Sequence, residues 1–173
     1  PTGSGKTIIM AEFLKQLVED REVREEVSFI WTAPRQLHIQ SRKKLESYFE
    51  ASRALECSFF EDLDDRKISE SEILFFNWES INREDNIYIR DNEKDDNLSK
   101  ALERTKEDGR IIILIIDEAH HHATSEISQK LISDINPRLT IEVSATPIVE
   151  SPDDSVTVQL EDVKLEGMIK KAV

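Results

Sequence analysis

The segment from Ile111 to Ile116 consists of six aliphatic residues, five of them isoleucine, and constrains the fold of this chain more than any other. A strand that is apolar at every position buries both of its faces, which is typical of the centre of a parallel sheet with helices on both sides. Short β-type runs alternate with amphipathic stretches through the rest of the chain, as in successive βα units. The sequence therefore predicts an α/β fold with a largely parallel sheet.

Six further segments have the spacing or composition of regular elements. The predicted strands are Val27 to Ala33, Glu72 to Trp78, Leu139 to Val143 and, at an edge, Val156 to Leu160. The predicted helices are Arg35 to Glu50 and Leu98 to Lys106, and Gly109 ends the second of them. Asn82 to Asn97 is predicted to be a long surface loop or insertion. The longest apolar run is far too short to cross a bilayer, so no membrane partner is expected.

The chain opens with Pro1-Thr2-Gly3-Ser4-Gly5-Lys6-Thr7, which has every residue of a phosphate-binding P-loop except the first. The glycines let successive backbone N–H groups point at phosphate oxygens, and a helix that starts near Lys6 adds its positive end. Lys6 would reach the β- and γ-phosphates, and the Thr7 hydroxyl would ligate Mg²⁺. The alternative is a glycine-rich turn before an ordinary helix. Because a P-loop follows a strand, we expect the chain to be part of a longer protein.

Two acidic residues, Asp117 and Glu118, directly follow the aliphatic run. Open α/β sheets bind ligands at the carboxyl ends of their strands, so Asp117 is placed to hold Mg²⁺ and Glu118 to polarise the attacking water. The alternative is a pair of acids at a helix N-terminus, where the dipole favours them. We interpret His120 as part of the same motif. The run His120 to His122 is not predicted to be a metal site, because consecutive side chains point in different directions and no Cys accompanies them, and His121 and His122 stay unassigned.

Residues after two other predicted strands are candidates for coupling phosphate release to motion and for contacting nucleic acid. Ser144 and Thr146 follow the predicted strand Leu139 to Val143, where two hydroxyls could sense the γ-phosphate. The alternative there is an ordinary turn at Thr146-Pro147. Arg35 follows the first predicted strand, at the start of a predicted helix. The positive end of the helix dipole disfavours a cation there. It makes sense if Arg35 meets a nucleic-acid phosphate, and the alternative is a surface arginine at a strand–helix junction.

The net charge of −13 argues against a protein that coats DNA through a generally basic surface. The net charge does not exclude a motor protein that binds a nucleic-acid backbone through a narrow part of its surface. Cys57 is the only cysteine, so no internal disulfide can form. We therefore expect a reducing, cytoplasmic compartment and a buried or half-buried thiol.

The order of these motifs resembles motifs I, Ia, II and III of superfamily 2 helicases of the DEAD/DEAH-box type. The motifs are Gly-Ser-Gly-Lys-Thr at residues 3–7, Ala-Pro-Arg-Gln-Leu at 33–37, Asp-Glu-Ala-His at 117–120 and Ser-Ala-Thr at 144–146. Four longer segments are similar to the restriction (Res) subunit of type III restriction enzymes, at residues 31–40, 75–82, 109–122 and 158–170. The resemblance covers nearly the whole chain, from Pro1 to about Lys171.

This resemblance implies that residues 1–173 are part of the first RecA-like helicase ATP-binding domain, a three-layer P-loop NTPase fold truncated at both ends, with its first strand missing. It implies ATP and Mg²⁺ as cofactors and double-stranded DNA as the track of the motor. The further implied partners are a second RecA-like domain with an arginine finger, an endonuclease domain and a modification methyltransferase subunit. In such folds the strand before Ser144 lies between the P-loop strand and the aliphatic strand.

The family pattern also implies a role for each motif residue. The cofactor-binding positions are Thr2, Gly3, Ser4, Gly5, Lys6 and Thr7, and the catalytic positions are Lys6, Asp117 and Glu118. The coupling positions are His120, Ser144 and Thr146. The nucleic-acid candidates are Arg35, Gln40, Asn77 and Trp78, although Trp78 could equally fill the core. Motif Ia has Ala-Pro-Arg here where many members have Pro-Thr-Arg, so a threonine–phosphate contact does not carry over.

Three alternatives stay open. One is an RNA helicase of the Asp-Glu-Ala-His type, against which the segment Asn-Trp-Glu-Ser-Ile-Asn at residues 77–82 speaks. Another is a P-loop module that binds ATP without hydrolysing it, against which Glu118 speaks. The third is that this chain alone hydrolyses ATP negligibly, because one motor domain has only half of an ATP cleft.

Overall fold

A computed structural model of the chain describes residues 5–77, 97–118 and 126–144. The helices are α1 (Lys6–Glu19), α2 (Arg21–Glu26), α3 (Leu37–Phe49), α4 (Leu98–Glu107) and α5 (Glu126–Ile135). The strands are β1 (Val27–Ala33), β2 (Glu56–Ser58), β3 (Glu72–Asn77), β4 (Ile111–Asp117) and β5 (Leu139–Val143). Two single turns of 3₁₀-helix, Phe60–Asp62 and Asp64–Arg66, connect β2 to β3. In these ranges, no helix is long and apolar enough to cross a bilayer.

The five strands form one sheet in the order β2-β3-β1-β4-β5, and every pair in it is parallel. The aliphatic strand β4 pairs with β1 on one side and β5 on the other, and its residues from Ile112 onwards are buried. The sequence predicted a parallel sheet in which β5 lies next to β4, and the structure confirms both predictions. Among the described strands, β5 is at the edge of the sheet.

Helices cover both faces of the sheet and bury a separate apolar cluster on each. One cluster joins the inner residues of α1 and α3 to the sheet, with Leu14, Leu45, Phe29, Trp31 and Ile115 among its members. The other joins α4 and α5 to the opposite face, with Leu102, Ile135, Ile30, Leu74 and Leu114 among its members. Because side chains alternate along β4, Ile113, Ile115 and Asp117 share the face that α1 and α3 cover.

The predicted elements agree with the structure closely, and the differences have local causes. The helix predicted from Arg35 begins at Leu37, because Arg35 has a φ of 53° and cannot belong to a right-handed helix. Gly109, with a φ of 76°, follows α4 as predicted. Sequence reasoning did not assign α2, β2 and α5. The predicted strand Val156 to Leu160 and residues 82–96 of the predicted loop lie outside the described residues.

The lone cysteine is buried, as predicted. Cys57 lies on β2 with 8% of its surface exposed. Burial raises the pKa of its thiol to about 12, helped by the nearby charge of Glu46 and opposed by that of Arg42. A thiol that stays protonated at neutral pH is a poor nucleophile, so Cys57 is interpreted as a packing residue.

Glu72, the first residue of β3, is a carboxylate in the interior. Only 3% of its surface is exposed, and its Oε2 accepts a 2.7 Å hydrogen bond from the backbone N–H of Ser69. Burial raises the pKa of Glu72, and hydrogen bonds from Ser58 and Ser69 oppose the rise only in part. The native state therefore holds this proton more tightly than the unfolded chain does.

Replacing Glu72 with glutamine should stabilise the protein more at pH 8 than at pH 5. The stabilising contribution of a carboxyl with a raised native pKa is complete below its unfolded pKa, about 4.3, and is lost as pH rises through the native pKa. Glutamine keeps an oxygen for the Ser69 N–H and removes this loss. Melting temperatures of both proteins at the two pH values test the prediction, with Glu50→Gln, an exposed site at the end of α3, as control. An equal difference at both pH values would contradict it.

Candidate active site

The carboxyl ends of the strands bring the predicted functional residues to one edge of the sheet. Asn77 ends β3 opposite Ala33 of β1, and Asp117 ends β4 opposite Val143 of β5. Arg35, Glu118 and Ser144 each follow shortly after a strand at the same edge. This is the edge at which open parallel sheets bind ligands.

The first helix begins at this site without a side-chain cap. Gly5 precedes it with a φ of 79°, a left-handed conformation that favours glycine, and its carbonyl accepts from the N–H groups of Ile8 and Ile9 at 2.9 Å. Side-chain oxygens of Asp20 and Asn97 cap α2 and α4, whereas Gln36 before α3, like Gly5 before α1, makes no such bond. The first N–H groups of a helix have no partner within it, so the positive end of α1 is suited to an anion.

The N-terminus of α1 and the acidic pair after β4 are in direct contact. Lys6 Nζ lies 2.7 Å from Glu118 Oε1, across 112 residues of sequence. The two side chains are 27% and 25% exposed, so the pair sits at the mouth of the site rather than in bulk solvent. The lysine and the carboxylate that sequence reasoning placed at one site therefore face the same space.

The backbone at Glu118 is held in an uncommon conformation. Its φ is 55°, in the left-handed region that costs a residue with a Cβ about 1–3 kcal/mol. The Glu118 N–H donates a 2.9 Å hydrogen bond to the carbonyl of Val143, which extends the pairing of β4 and β5 by one residue. Strain of this kind persists where the surroundings enforce it, and here it turns the Glu118 carboxylate toward Lys6.

The carboxylate of Asp117 is more deeply placed than that of Glu118. Only 8% of Asp117 is exposed, and its Oδ2 accepts a 3.2 Å hydrogen bond from Ser41 Oγ. Burial raises the pKa of Asp117 and the charge of Glu118 adds to the rise, while Ser41, Lys6 and Trp31 oppose it. The Trp31 indole nitrogen is close enough to exert this effect, but in the described part of the chain no acceptor meets it in hydrogen-bond geometry.

The donor chemistry of this cluster fits Mg²⁺ and a polyphosphate. Asp117 and the hydroxyl of Thr7, the second residue of α1, are hard oxygen ligands of the kind that Mg²⁺ prefers, and the adjacent carboxylates of Asp117 and Glu118 both interact with the ammonium of Lys6. The described residues contain no group of three or more His, Cys, Asp and Glu that could hold a metal by themselves. Mg²⁺ fits such a site because it takes most of its ligands from water and phosphate.

The nucleic-acid candidates lie along the same edge, on the side of β1 and β3. Arg35 is exposed, with its left-handed φ of 53° and its carbonyl accepting a 2.9 Å hydrogen bond from His38 Nδ1. Gln40 is exposed on the first turn of α3, and Asn77 is half-buried at the end of β3. Arg35 and Asn77 therefore stand near the ends of β1 and β3, one and two strands away from β4 in the sheet.

Of the remaining predicted site residues, Ser144 belongs to the described part of the chain and the others lie outside it. Ser144 directly follows β5 and is half-buried beside the end of β4. The positions that lie outside the described residues are Thr2, Gly3, Ser4, Trp78, His120 and Thr146.

Sequence reasoning missed Ser41, the hydrogen-bond donor to Asp117. Ser41 belongs to the buried face of α3, together with Leu45 and Phe49. Leu37, Ser41, Leu45 and Phe49 follow one another at intervals of four residues. The signal that could have found it is a polar residue inside an apolar helical stripe.

The comparison with protein families agrees with this geometry. The family model described as "Type III restriction enzyme, res subunit" matches residues 1–149 of the 173-residue chain. A comparison with curated proteins found no match. The matched residues include the five parallel strands that the structure describes and both residues of the Lys6–Glu118 contact, in a RecA-like P-loop fold. The chain therefore belongs to the family of type III restriction enzyme res subunits, whose members are helicase-like ATPases.

Proposed function

We propose that this chain is the ATP-binding part of a motor that couples ATP hydrolysis to movement along double-stranded DNA. The observation that carries the proposal is the 2.7 Å contact between Lys6 Nζ and Glu118 Oε1, which unites the start of α1 with the end of β4. Family membership supports a helicase-like motor. The uncapped start of α1 and the buried Asp117 supply the anion-binding and cation-binding sides of one site.

Each side chain at this site has a distinct task in the proposal. Mg²⁺·ATP, when bound, supplies the phosphoanhydride bond and a divalent charge beside its phosphate oxygens. Lys6 and the backbone N–H groups of residues 2–7 bind the phosphates. Asp117 and Thr7 hold the metal, and Glu118 polarises the attacking water and accepts its proton.

The Lys6–Glu118 ion pair has to open for both residues to act in this way. Each side chain is about one-quarter exposed, so an unpaired charge here would be poorly solvated. Exchanging the Glu118 carboxylate for phosphate oxygens leaves the Lys6 ammonium paired throughout. The Glu118 carboxylate then takes the attacking water as its hydrogen-bond partner in place of Lys6 and accepts its proton.

The other predicted residues complete the motor in the proposal. Ser144, Thr146 and His120 respond to loss of the γ-phosphate, and Arg35, Gln40, Asn77 and Trp78 contact the nucleic-acid backbone or bases. A second RecA-like domain of the same protein provides the other wall of the cleft and an arginine finger. A modification methyltransferase subunit is the proposed protein partner.

ATP turnover by the complete enzyme tests the proposal. We expect Mg²⁺-dependent hydrolysis that double-stranded DNA stimulates more strongly than RNA does. We also expect the enzyme to displace a third strand from a DNA triplex only while ATP is hydrolysed, because displacement requires movement along the duplex. Stimulation by RNA alone would favour the RNA helicase, and nucleotide binding without turnover would contradict a motor of any kind.

A further inference from the structure

Ser41 occupies a core position on α3 that its neighbours fill with apolar side chains. The buried face of the helix carries Ser41, Leu45 and Phe49, and 5% of Ser41 is exposed. An apolar residue at this position would extend the packing of the stripe, whereas a buried hydroxyl needs a hydrogen-bond partner. The choice of serine therefore calls for a reason outside packing.

The hydroxyl of Ser41 makes a long-range bond where a local one is available. A helical Ser or Thr commonly satisfies itself by donating to a carbonyl in the preceding turn. Thr105, on α4, does so toward Ala101 O at 2.7 Å. Ser41 Oγ instead donates to Asp117 Oδ2 at 3.2 Å, across 76 residues of sequence.

This bond is the direct side-chain support that the described part of the chain gives to Asp117. Lys6 makes its 2.7 Å contact with Glu118 instead, and the Trp31 indole nitrogen, which also lowers the pKa of Asp117, meets no acceptor in hydrogen-bond geometry within the described residues. Ser41 engages one carboxylate oxygen, Oδ2, and so limits rotation of the carboxylate about its last bond. A ligating carboxylate held by such a partner is already oriented for its metal.

We propose that Ser41 is a positioning residue for the metal carboxylate Asp117, and that its hydroxyl sets the affinity of the site for Mg²⁺ in the presence of nucleotide. The inference rests on the proposed function, because it assigns the metal to Asp117. The bond also ties α3, which begins two residues after the nucleic-acid candidate Arg35, to the end of β4.

The test compares Ser41→Ala, Ser41→Cys and Ser41→Thr in the complete enzyme. Loss of an outer partner of a metal ligand typically costs about 10–100-fold in metal affinity or activity, so Ser41→Ala should raise the Mg²⁺ concentration needed for half-maximal binding of a fluorescent ADP analogue about tenfold. The same shift should appear in the Mg²⁺ dependence of ATP hydrolysis. Ser41→Cys, whose thiol is a weak donor of similar size, should need a Mg²⁺ concentration between those of the wild type and Ser41→Ala. Ser41→Thr keeps a hydroxyl and should retain most of the wild-type affinity for Mg²⁺.

Ser28→Ala is the matched control. Ser28 of β1 is likewise buried, and its hydroxyl donates to the carbonyls of Ile68 and Ser69 at 3.1 and 2.7 Å; it pairs with Ile112, at the other end of β4 from Asp117. Ser28→Ala should lower the melting temperature without changing the Mg²⁺ concentration needed for half-maximal binding of the ADP analogue. The inference is overturned if Ser41→Ala needs no more Mg²⁺ than the wild type, or if Ser41→Thr fails to recover what Ser41→Ala loses. A wild-type enzyme that lacks Mg²⁺-dependent turnover would instead remove the proposed function.

Discussion

Replacing Lys6 with alanine in the complete enzyme should lower kcat/KM for ATP about 10²-fold or more and weaken nucleotide binding. In the proposed mechanism the Lys6 ammonium faces the charge that develops on the phosphates, and removal of one such donor typically costs about 10²–10³ in rate. The variant also leaves the carboxylates of Asp117 and Glu118 adjacent to each other without the cation that lies 2.7 Å from Glu118. Phosphate oxygens would then approach two negative charges, so affinity and turnover should fall together.

Steady-state hydrolysis and fluorescent-nucleotide titration measure the two losses separately. Lys15→Ala is the matched control, because Lys15 lies on the same helix and is half-buried, but sits about 13 Å further along the axis at 1.5 Å per residue. It should bind and hydrolyse ATP like the wild type. If Lys6→Ala kept full kcat/KM, the start of α1 would not be the phosphate site.

Most of the sheet is predictable because its longer strands are runs rich in β-branched or apolar residues, and three of them, β1, β3 and β4, are buried over most of their length. β1 and β5 have the predicted bounds, Val27–Ala33 and Leu139–Val143, since both are short β-branched or apolar runs ended by a local change of chemistry. β2 is only three residues long, and Glu56–Ser58 becomes a strand by pairing with β3. No periodicity can develop over three residues, so sequence patterns could not find it.

The general location of the site is predictable from topology, but its internal contacts are not. Parallel strands put their carboxyl ends at one edge, which brings Asp117 and Glu118 near any P-loop that belongs to the same sheet. The bond from Ser41 to Asp117 depends on the rotation of α3 about its axis and its height over β4. Those two quantities follow from the packing of whole helices on the sheet, which no local pattern of residues encodes.

Local strain is a second feature that sequence reasoning did not reach. Arg35 and Glu118 both take a left-handed φ although neither is glycine. Each stands just beyond a buried strand, where tertiary packing overrides the local preference of the backbone. As a result, the helix predicted from Arg35 begins at Leu37. At the other strand end, the Glu118 carboxylate lies against Lys6.

Replacing Glu118 with glutamine should lower kcat about 10²–10⁴-fold, the usual contribution of a general base, while nucleotide binding is little changed. Glutamine keeps the size of the side chain, and its amide oxygen can still accept from Lys6, so the contact at the mouth of the site survives in a neutral form. The backbone bond from residue 118 to Val143 is untouched. What disappears is the capacity to take a proton from water, because an amide oxygen is not a useful base at neutral pH.

Single-turnover hydrolysis and ADP-analogue titration separate these effects in the Glu118→Gln enzyme. Glu142→Gln is the matched control, because Glu142 is half-buried on β5 opposite Ile116 and therefore faces the other side of the sheet from Asp117. It should hydrolyse ATP normally. Full turnover by Glu118→Gln would assign the proton to another acceptor, and loss of binding together with turnover would mean that the Glu118 carboxylate supports the fold of the site rather than its chemistry. Loss of turnover alone, with binding retained, separates Glu118 from Lys6, whose replacement removes both.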